Sequence, residues 1–185
     1  MGHRLSKIYT RTGDDGTTGL GDGTRTAKSD RRIHAIGEVD ELNSLVGVLL
    51  AEDPGEDISG ILHDIQHGLF DLGGELSIPG SVIVRPRHVD RVEKAIDRFN
   101  ASLPPLKDFI LPGGGKAPAV CHLARAVARR AERTLTGLGE TEDINAQGRI
   151  FLNRISDLLF VLARVLARRS GAAEVLWDKD RLGKD

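Results

Sequence analysis

Arg125, Arg129 and Arg133 recur four residues apart. On a helix that spacing stacks them into one ridge of positive charge. A row of planar guanidinium groups suits the oxygens of a polyphosphate. His122 and Glu132 share the face, and Glu132 dilutes the charge without removing it. On a bare helix such a ridge is more often an ordinary solvated face. A second stretch, Tyr9-Thr10-Arg11-Thr12-Gly13-Asp14-Asp15-Gly16-Thr17-Thr18-Gly19-Leu20, has the parts of an anion cradle. Its glycines permit positive φ, so successive N–H groups can converge on one oxygen. The threonine hydroxyls add donors, and Arg11 and Lys28 add charge. Asp14 and Asp15 would repel phosphate unless they hold Mg²⁺ or cap the loop itself. No Walker A pattern occurs, since Gly115-Lys116 is followed by Ala117. The Gly-x₅-Glu register of a calcium loop is also missing. On composition alone the segment reads equally as a surface tail.

Other chemistry is thinly represented. Cys121 is the single cysteine, so no intramolecular disulfide forms, and nothing in the neighbouring sequence resembles an activating base. The six histidines, His3, His34, His63, His67, His88 and His122, form no strong metal-binding pattern. His63 and His67 have i, i+4 spacing but lack the rest of an H-E-x-x-H site.

Helices must position these groups. The periodicity predicts five, roughly Arg32–Ala51, Asp57–Leu76, His88–Asn100, Ala117–Leu138 and Asp143–Arg169. Pro54-Gly55, the segment from Ser77 to Arg87, Pro104-Pro105 and Leu111-Pro112-Gly113-Gly114-Gly115 separate them. Thr141 is the predicted N-cap of the fifth. No strand is expected; Val82-Ile83-Val84 is too short. The fold class is therefore all-α, a five-helix bundle behind a glycine-rich N-terminal segment.

The helix faces refine this picture. In the fourth helix Val120, Leu123, Ala124, Val127, Ala131, Leu135 and Leu138 form the predicted core stripe, with the arginine ridge opposite. In the fifth, Phe151, Ile155, Leu158, Leu159, Leu162 and Leu166 face inward. Asn153, Asp157, Phe160 and Arg164 lie on the far side, where Phe160 suggests a second buried surface. The first helix buries Ala35, Val39, Leu42, Leu45, Val46 and Leu49. Its other face, Gly37, Asp40, Ser44, Gly47 and Ala51, is small apart from one carboxylate. This is either an ordinary exposed face poor in Lys and Glu or a helix–helix contact, within or between subunits. A buried lone Asp is costly without a cation, so in the second reading Asp40 meets an arginine, with Arg125 the natural candidate.

Composition bounds the remainder. The 185 residues carry 26 basic and 27 acidic side chains, a net charge of −1, which argues against a general nucleic-acid binder. No run approaches the roughly 20 apolar residues of a membrane span, and no signal peptide is recognisable. A cytoplasmic setting fits the solitary thiol.

Five blocks taken together resemble the PduO-type ATP:cob(I)alamin adenosyltransferases. They are Lys7-Ile8-Tyr9-Thr10-Arg11-Thr12-Gly13-Asp14-Asp15-Gly16, Gly37-Glu38-Val39-Asp40-Glu41-Leu42-Asn43-Ser44 and Phe109-Ile110-Leu111-Pro112-Gly113-Gly114. The others are His122–Arg133 and Phe151-Leu152-Asn153-Arg154-Ile155-Ser156-Asp157, all in family order and spacing. The resemblance implies transfer of the 5′-deoxyadenosyl group of ATP to the cobalt of a reduced corrinoid, cobalamin, with Mg²⁺ carried by the ATP phosphates. It implies a homotrimer with ATP between subunits, a reductase upstream and an adenosylcobalamin-dependent acceptor enzyme downstream. By motif match Thr10, Arg11, Thr12, Gly13, Thr18, Gly19 and Lys28 line the nucleotide, with Arg129, Arg130, Glu132, Arg133 and Asn153 from a neighbouring subunit. Asp40 and Arg125 match an inter-subunit ion pair. Phe109 matches the aromatic under the corrin, and Phe160 a second corrin contact. Arg129 and Phe109 are thereby the expected catalytic residues. One domain spans 1–185: an ATP-binding segment at 1–29, the bundle at 30–170 and a tail at 171–185. Two alternatives stay open on the residues alone: a phosphoryl-transferring or ATP-hydrolysing enzyme, and a non-catalytic ATP-binding helical oligomer.

Overall fold

The computed structural model describes residues 8–172 and 174–183. His3, Lys7 and the end of the expected tail lie outside them. Five helices follow a short hairpin: β1 (Thr17–Gly19), β2 (Arg25–Ala27), α1 (Arg31–Leu50), α2 (Glu56–Ser77), α3 (Pro86–Asn100), α4 (Lys116–Leu138) and α5 (Ala146–Arg169).

The helix boundaries have local causes. Asp30 caps α1 by accepting from Arg32 N at 2.8 Å. Glu56 and Asp57 occupy the first turn of α2, where the helix dipole favours negative charge. Pro86 opens α3 at a position that needs no N–H. Asn145 caps α5 by accepting from Gln147 N at 3.1 Å. Thr141, the predicted cap, instead closes α4, its hydroxyl donating to Leu138 O at 3.2 Å.

The hairpin corrects the expectation that the chain has no strand. β1 and β2 pair antiparallel, with Thr18 opposite Thr26. Two Asp-Gly-Thr triplets, at 15–17 and 22–24, build its corners. In each, the aspartate Oδ1 accepts from the threonine N–H at 2.9 Å and its hydroxyl at 2.7 Å. Gly16 (φ 84°) and Gly23 (φ 91°) supply the left-handed residue between.

In the bundle, α5 packs on α4 and α3, α4 on α1, and α1 on α2. Between Leu158 and Ala167 every residue of α5 is buried except the half-buried Phe160. Two expected faces change here. Leu123, predicted in the core, is 54% exposed, while His122, predicted on the polar face, is 5% exposed. The stripe of α4 is turned toward Cys121, Ala124 and Ala128, all at 0%, because small side chains let neighbouring helices approach closely. Arg164 is also buried, its Nε donating to Glu174 Oε1 at 2.7 Å and Nη2 to Pro104 O at 3.0 Å.

Two further polar ties fix the connections. Arg32 is buried, ion-paired with Glu142, and donates from Nη1 to Leu76 O at 2.8 Å. Glu75, also buried, accepts from Ile83 N, from Val84 N at 2.8 Å and from Asn145 Nδ2 at 3.1 Å.

At Gly68, α2 comes close to a side chain of α5. A Cβ on Gly68 would stand 2.6 Å from Phe151 Cζ, whereas one on Gly60 would meet nothing within 4 Å. Gly68→Ala should therefore destabilise the fold by about 1–3 kcal/mol through overpacking. Gly60→Ala in the same helix should stabilise it by up to about 1 kcal/mol. Urea unfolding of both variants checks the opposite signs.

Candidate functional site

The glycine-rich segment is an ordered hairpin held to the bundle. Gly21 N donates to Ser77 O at 2.7 Å, and a Cβ on Gly21 would stand 2.7 Å from Ile78 Cγ1, so glycine is required there. Thr10 and Thr12 share a hydroxyl hydrogen bond of 2.8 Å. Arg11 is left-handed (φ 61°), with its guanidinium 5.6 Å from the centre of the Tyr9 ring. A β-carbon on Gly13 would lie 2.7 Å from Thr17 O and 3.3 Å from Lys28 Nζ. The bare glycine therefore lets the Lys28 ammonium lie against the loop. Thr10, Arg11, Thr12, Gly13, Thr18, Gly19 and Lys28 thus share one small structure. The aspartates act as caps: hydrogen bonds from Thr17 hold the Asp15 carboxyl below the usual carboxylate range, and Thr24 does the same for Asp22.

Sequence reasoning missed Arg25. It hydrogen-bonds Thr12 O and the Thr17 hydroxyl, stitching the two arms of the loop together. The doubled Asp-Gly-Thr triplet was the available signal for this hairpin.

The second group lies on α4 and α5. Arg129 and Arg133 are exposed along α4, with Arg133 Nη1 donating to Arg129 O at 3.0 Å. Glu132 Oε1 accepts from Asn153 Nδ2 at 2.9 Å. Arg130 points elsewhere within this chain, pairing with Glu41 and lying 3.6 Å from Glu38. The packed surroundings push the Asp157 carboxyl up, opposed by Arg154 and Arg129. No hydrogen bond or ion pair among the described residues joins the hairpin cradle to this ridge within one chain.

A third group is apolar. Phe109 is 75% exposed on the loop before α4, edge-on to Trp177 at 6.2 Å. Trp177 N donates to Phe109 O at 2.7 Å, Leu111 N to Val175 O at 2.8 Å, and Ile110 bridges Leu176. The tail is therefore a strap along the Phe109 loop, and Trp177 is a second residue that sequence reasoning missed. Phe160 stands edge-on to His122 at 6.2 Å. Burial, then the neighbouring Arg125 charge, lowers the His122 pKa. Beside it the Cys121 thiol is pushed up to about 12 by burial.

Asp40 and Arg125 do not meet within the chain. Arg125 Nε is buried without a hydrogen-bond partner, and Asp40 lines a groove between α1 and α2 with Phe70, Gly73 and Gly74. Other buried polar atoms without partners among the described residues are Glu38 Oε2, Asn43 Oδ1 and His122 Nδ1. All four thus belong to α1, around Asp40, or to α4, around Arg125.

Comparison with known proteins bears on this arrangement. The family described as cobalamin adenosyltransferase matches residues 8–166. A cobalamin adenosyltransferase of Cupriavidus metallidurans is 57% identical over 98% of this chain and 99% of its own. A corrinoid adenosyltransferase of Bacillus subtilis is 43% identical over 95% of this chain and 94% of its own. Among solved structures, a variant PduO-type ATP:corrinoid adenosyltransferase from Lactobacillus reuteri, complexed with cobalamin and ATP, superposes with a TM-score of 0.87. It is 36% identical, and the match covers 94% of this chain and 100% of that one.

Proposed function

The chain belongs to the cobalamin adenosyltransferase family, and from that premise we propose how it transfers the adenosyl group of ATP to the cobalt of cobalamin. ATP lies between the glycine-rich hairpin of one chain and the α4–α5 ridge of a neighbour, in a homotrimer. The observation that carries this reading is a set of cations with no carboxylate of their own. Arg125, Arg129 and Arg133 make no ion pair among the described residues, their neighbour Arg130 pairs with Glu41, and Arg125 Nε is buried without a hydrogen-bond partner. A buried guanidinium nitrogen without a partner is costly, and Asp40 of an adjacent chain would complete the half-buried Arg125.

The chemistry needs no protein nucleophile. Co(I) donates its electron pair to the ribose 5′-carbon, a Co–C bond forms, the C5′–O bond breaks, and triphosphate leaves with the displaced pair. The protein must align these atoms and stabilise negative charge on the leaving group. Arg129, Arg133 and Lys28, with N–H groups of the hairpin, fit the second task. Mg²⁺ would enter on the phosphates of ATP. Phe109, with Phe160 as a second corrinoid contact, would exclude water and the lower axial base, leaving Co(II) four-coordinate and easier to reduce. A reductase supplies that electron, and an adenosylcobalamin-dependent enzyme receives the product. No helix among the described residues is long and apolar enough to cross a membrane, and a cytoplasmic setting is part of this proposal.

Incubation with ATP, Mg²⁺ and chemically reduced cobalamin should produce the adenosylcobalamin spectrum and one triphosphate per turnover. ADP and phosphate would instead indicate a hydrolase, and ATP binding without corrinoid change a signalling module. Arg129→Ala should cost about 2–4 kcal/mol of transition-state stabilisation at limiting ATP with little change in melting temperature. Wild-type kinetics in that variant would remove the phosphate role.

Asp40→Ala should loosen the trimer by about 3–5 kcal/mol, because it strands a buried guanidinium. Light scattering should show the lower mass, and activity should fall on dilution. Phe109→Ala should leave ATP affinity nearly unchanged and lower the amount of four-coordinate Co(II) seen by electron paramagnetic resonance. Supplying pre-reduced Co(I) should restore much of its turnover.

A further inference from the structure

One guanidinium outside the expected nucleotide set organises several members of it. Arg154 Nε donates to Glu93 Oε1 on α3 at 2.7 Å. Its Nη1 donates to Asn153 Oδ1 at 3.0 Å and lies 3.7 Å from Asp157 Oδ2. Asn153 then passes the contact on, its Nδ2 donating to Glu132 Oε1 on α4 at 2.9 Å. A polar chain therefore runs from α3 through α5 to α4, ending beside the arginine ridge. None of its side chains belongs to the hydrophobic core.

Two consequences follow from charge and donor geometry. First, an amide can be turned over, exchanging its donor and acceptor ends. With the Arg154 guanidinium fixed against one end, a turned Asn153 would set N–H against N–H. The cation therefore dictates that Asn153 presents its donor toward Glu132. Second, Asp157 lies within the fields of both Arg154 and Arg129. While Arg154 holds this carboxylate, Arg129 remains available to a phosphate. Remove Arg154, and Asp157 becomes the nearby counter-ion for Arg129. Glu93 anchors the device from a third helix.

We propose that Arg154 is a positioning residue for the nucleotide site: tethered by Glu93, it orients Asn153 and keeps Asp157 from capturing Arg129. The proposal rests on the reading of the α4–α5 face as the triphosphate site. It assigns no contact between Arg154 and substrate.

The test uses the full-length chain with chemically reduced cobalamin, varying ATP and corrinoid in turn. Arg154→Met should raise KM for ATP about tenfold, as expected for misaligned charge-assisted contacts, and leave KM for corrinoid within about twofold. Arg154→Lys should recover little of the loss, because one ammonium cannot reproduce the fork to Glu93 and Asn153. Arg154→Met combined with Asp157→Asn should lose less than the two single variants together, since the capturing carboxylate is gone. Additive losses, an equal rise in both KM values, or full rescue by lysine would each overturn the positioning role. Asn153→Ala and Arg129→Ala, measured in parallel, separate the two claims. If both leave KM for ATP unchanged, the site reading falls and this proposal with it. If both raise it while Arg154→Met does not, the positioning proposal alone falls.

Discussion

The close packing of α4 against α5 is the constraint on which the other features depend. Ala124, Ala128 and Ala131 of α4 and Ala163 of α5 are each at most 1% exposed. Small side chains at a helix crossing bring the two axes together, so groups flanking the seam must converge as well. On one flank Glu132 reaches Asn153, and nearer the start of α4 His122 reaches Phe160. The same packing buries the second half of α5 almost all round, including Arg164. A buried arginine requires acceptors, and Glu174 and Pro104 O provide them. Those partners draw the chain after α5 back over the bundle, which sets Trp177 beside Phe109. The seam and the aromatic wall are therefore consequences of one packing choice.

Buried polar groups divide into two kinds. Arg32, Glu75 and Arg164 are satisfied within the chain and tie connecting segments to helix ends. Arg125 Nε, His122 Nδ1, Glu38 Oε2 and Asn43 Oδ1 are not. Leaving such groups unmatched costs on the order of 1–3 kcal/mol each, so a fold rarely retains several without a reason. Their placement around Asp40 on α1 and Arg125 on α4 is what an association surface would account for.

Much of this was legible in the amino-acid order because the helices are long, periodic and punctuated by proline and glycine. The arginine ridge followed directly from four-residue spacing, and the loop position of Phe109 from the prolines around it. The hairpin escaped detection because strands of three residues carry no period; its signal lay in turn chemistry, the repeated Asp-Gly-Thr. Thr141 and Asn145 are both good caps, and only the path of the preceding residues, with Glu142 drawn to Arg32, decides between them. Leu123 and His122 were misplaced for another reason. A helix wheel assumes one buried direction, whereas α4 is covered by α1 on one side and α5 on the other. The pairing of Arg130 with Glu41, with Glu38 3.6 Å away, could not be read from the motif, because it joins residues of two helices.

The buried thiol of Cys121 has a chemical consequence. With its pKa pushed up to about 12, almost none of it is thiolate near neutral pH. A thiolate is both a soft donor to transition metals and a competent nucleophile toward an alkyl carbon. In a protein that transfers an adenosyl group from ATP to the cobalt of cobalamin, such a group would compete for the metal or for the alkyl carbon. Sealing the cysteine among apolar neighbours keeps it protonated, and the polypeptide remains a spectator to the bond being made.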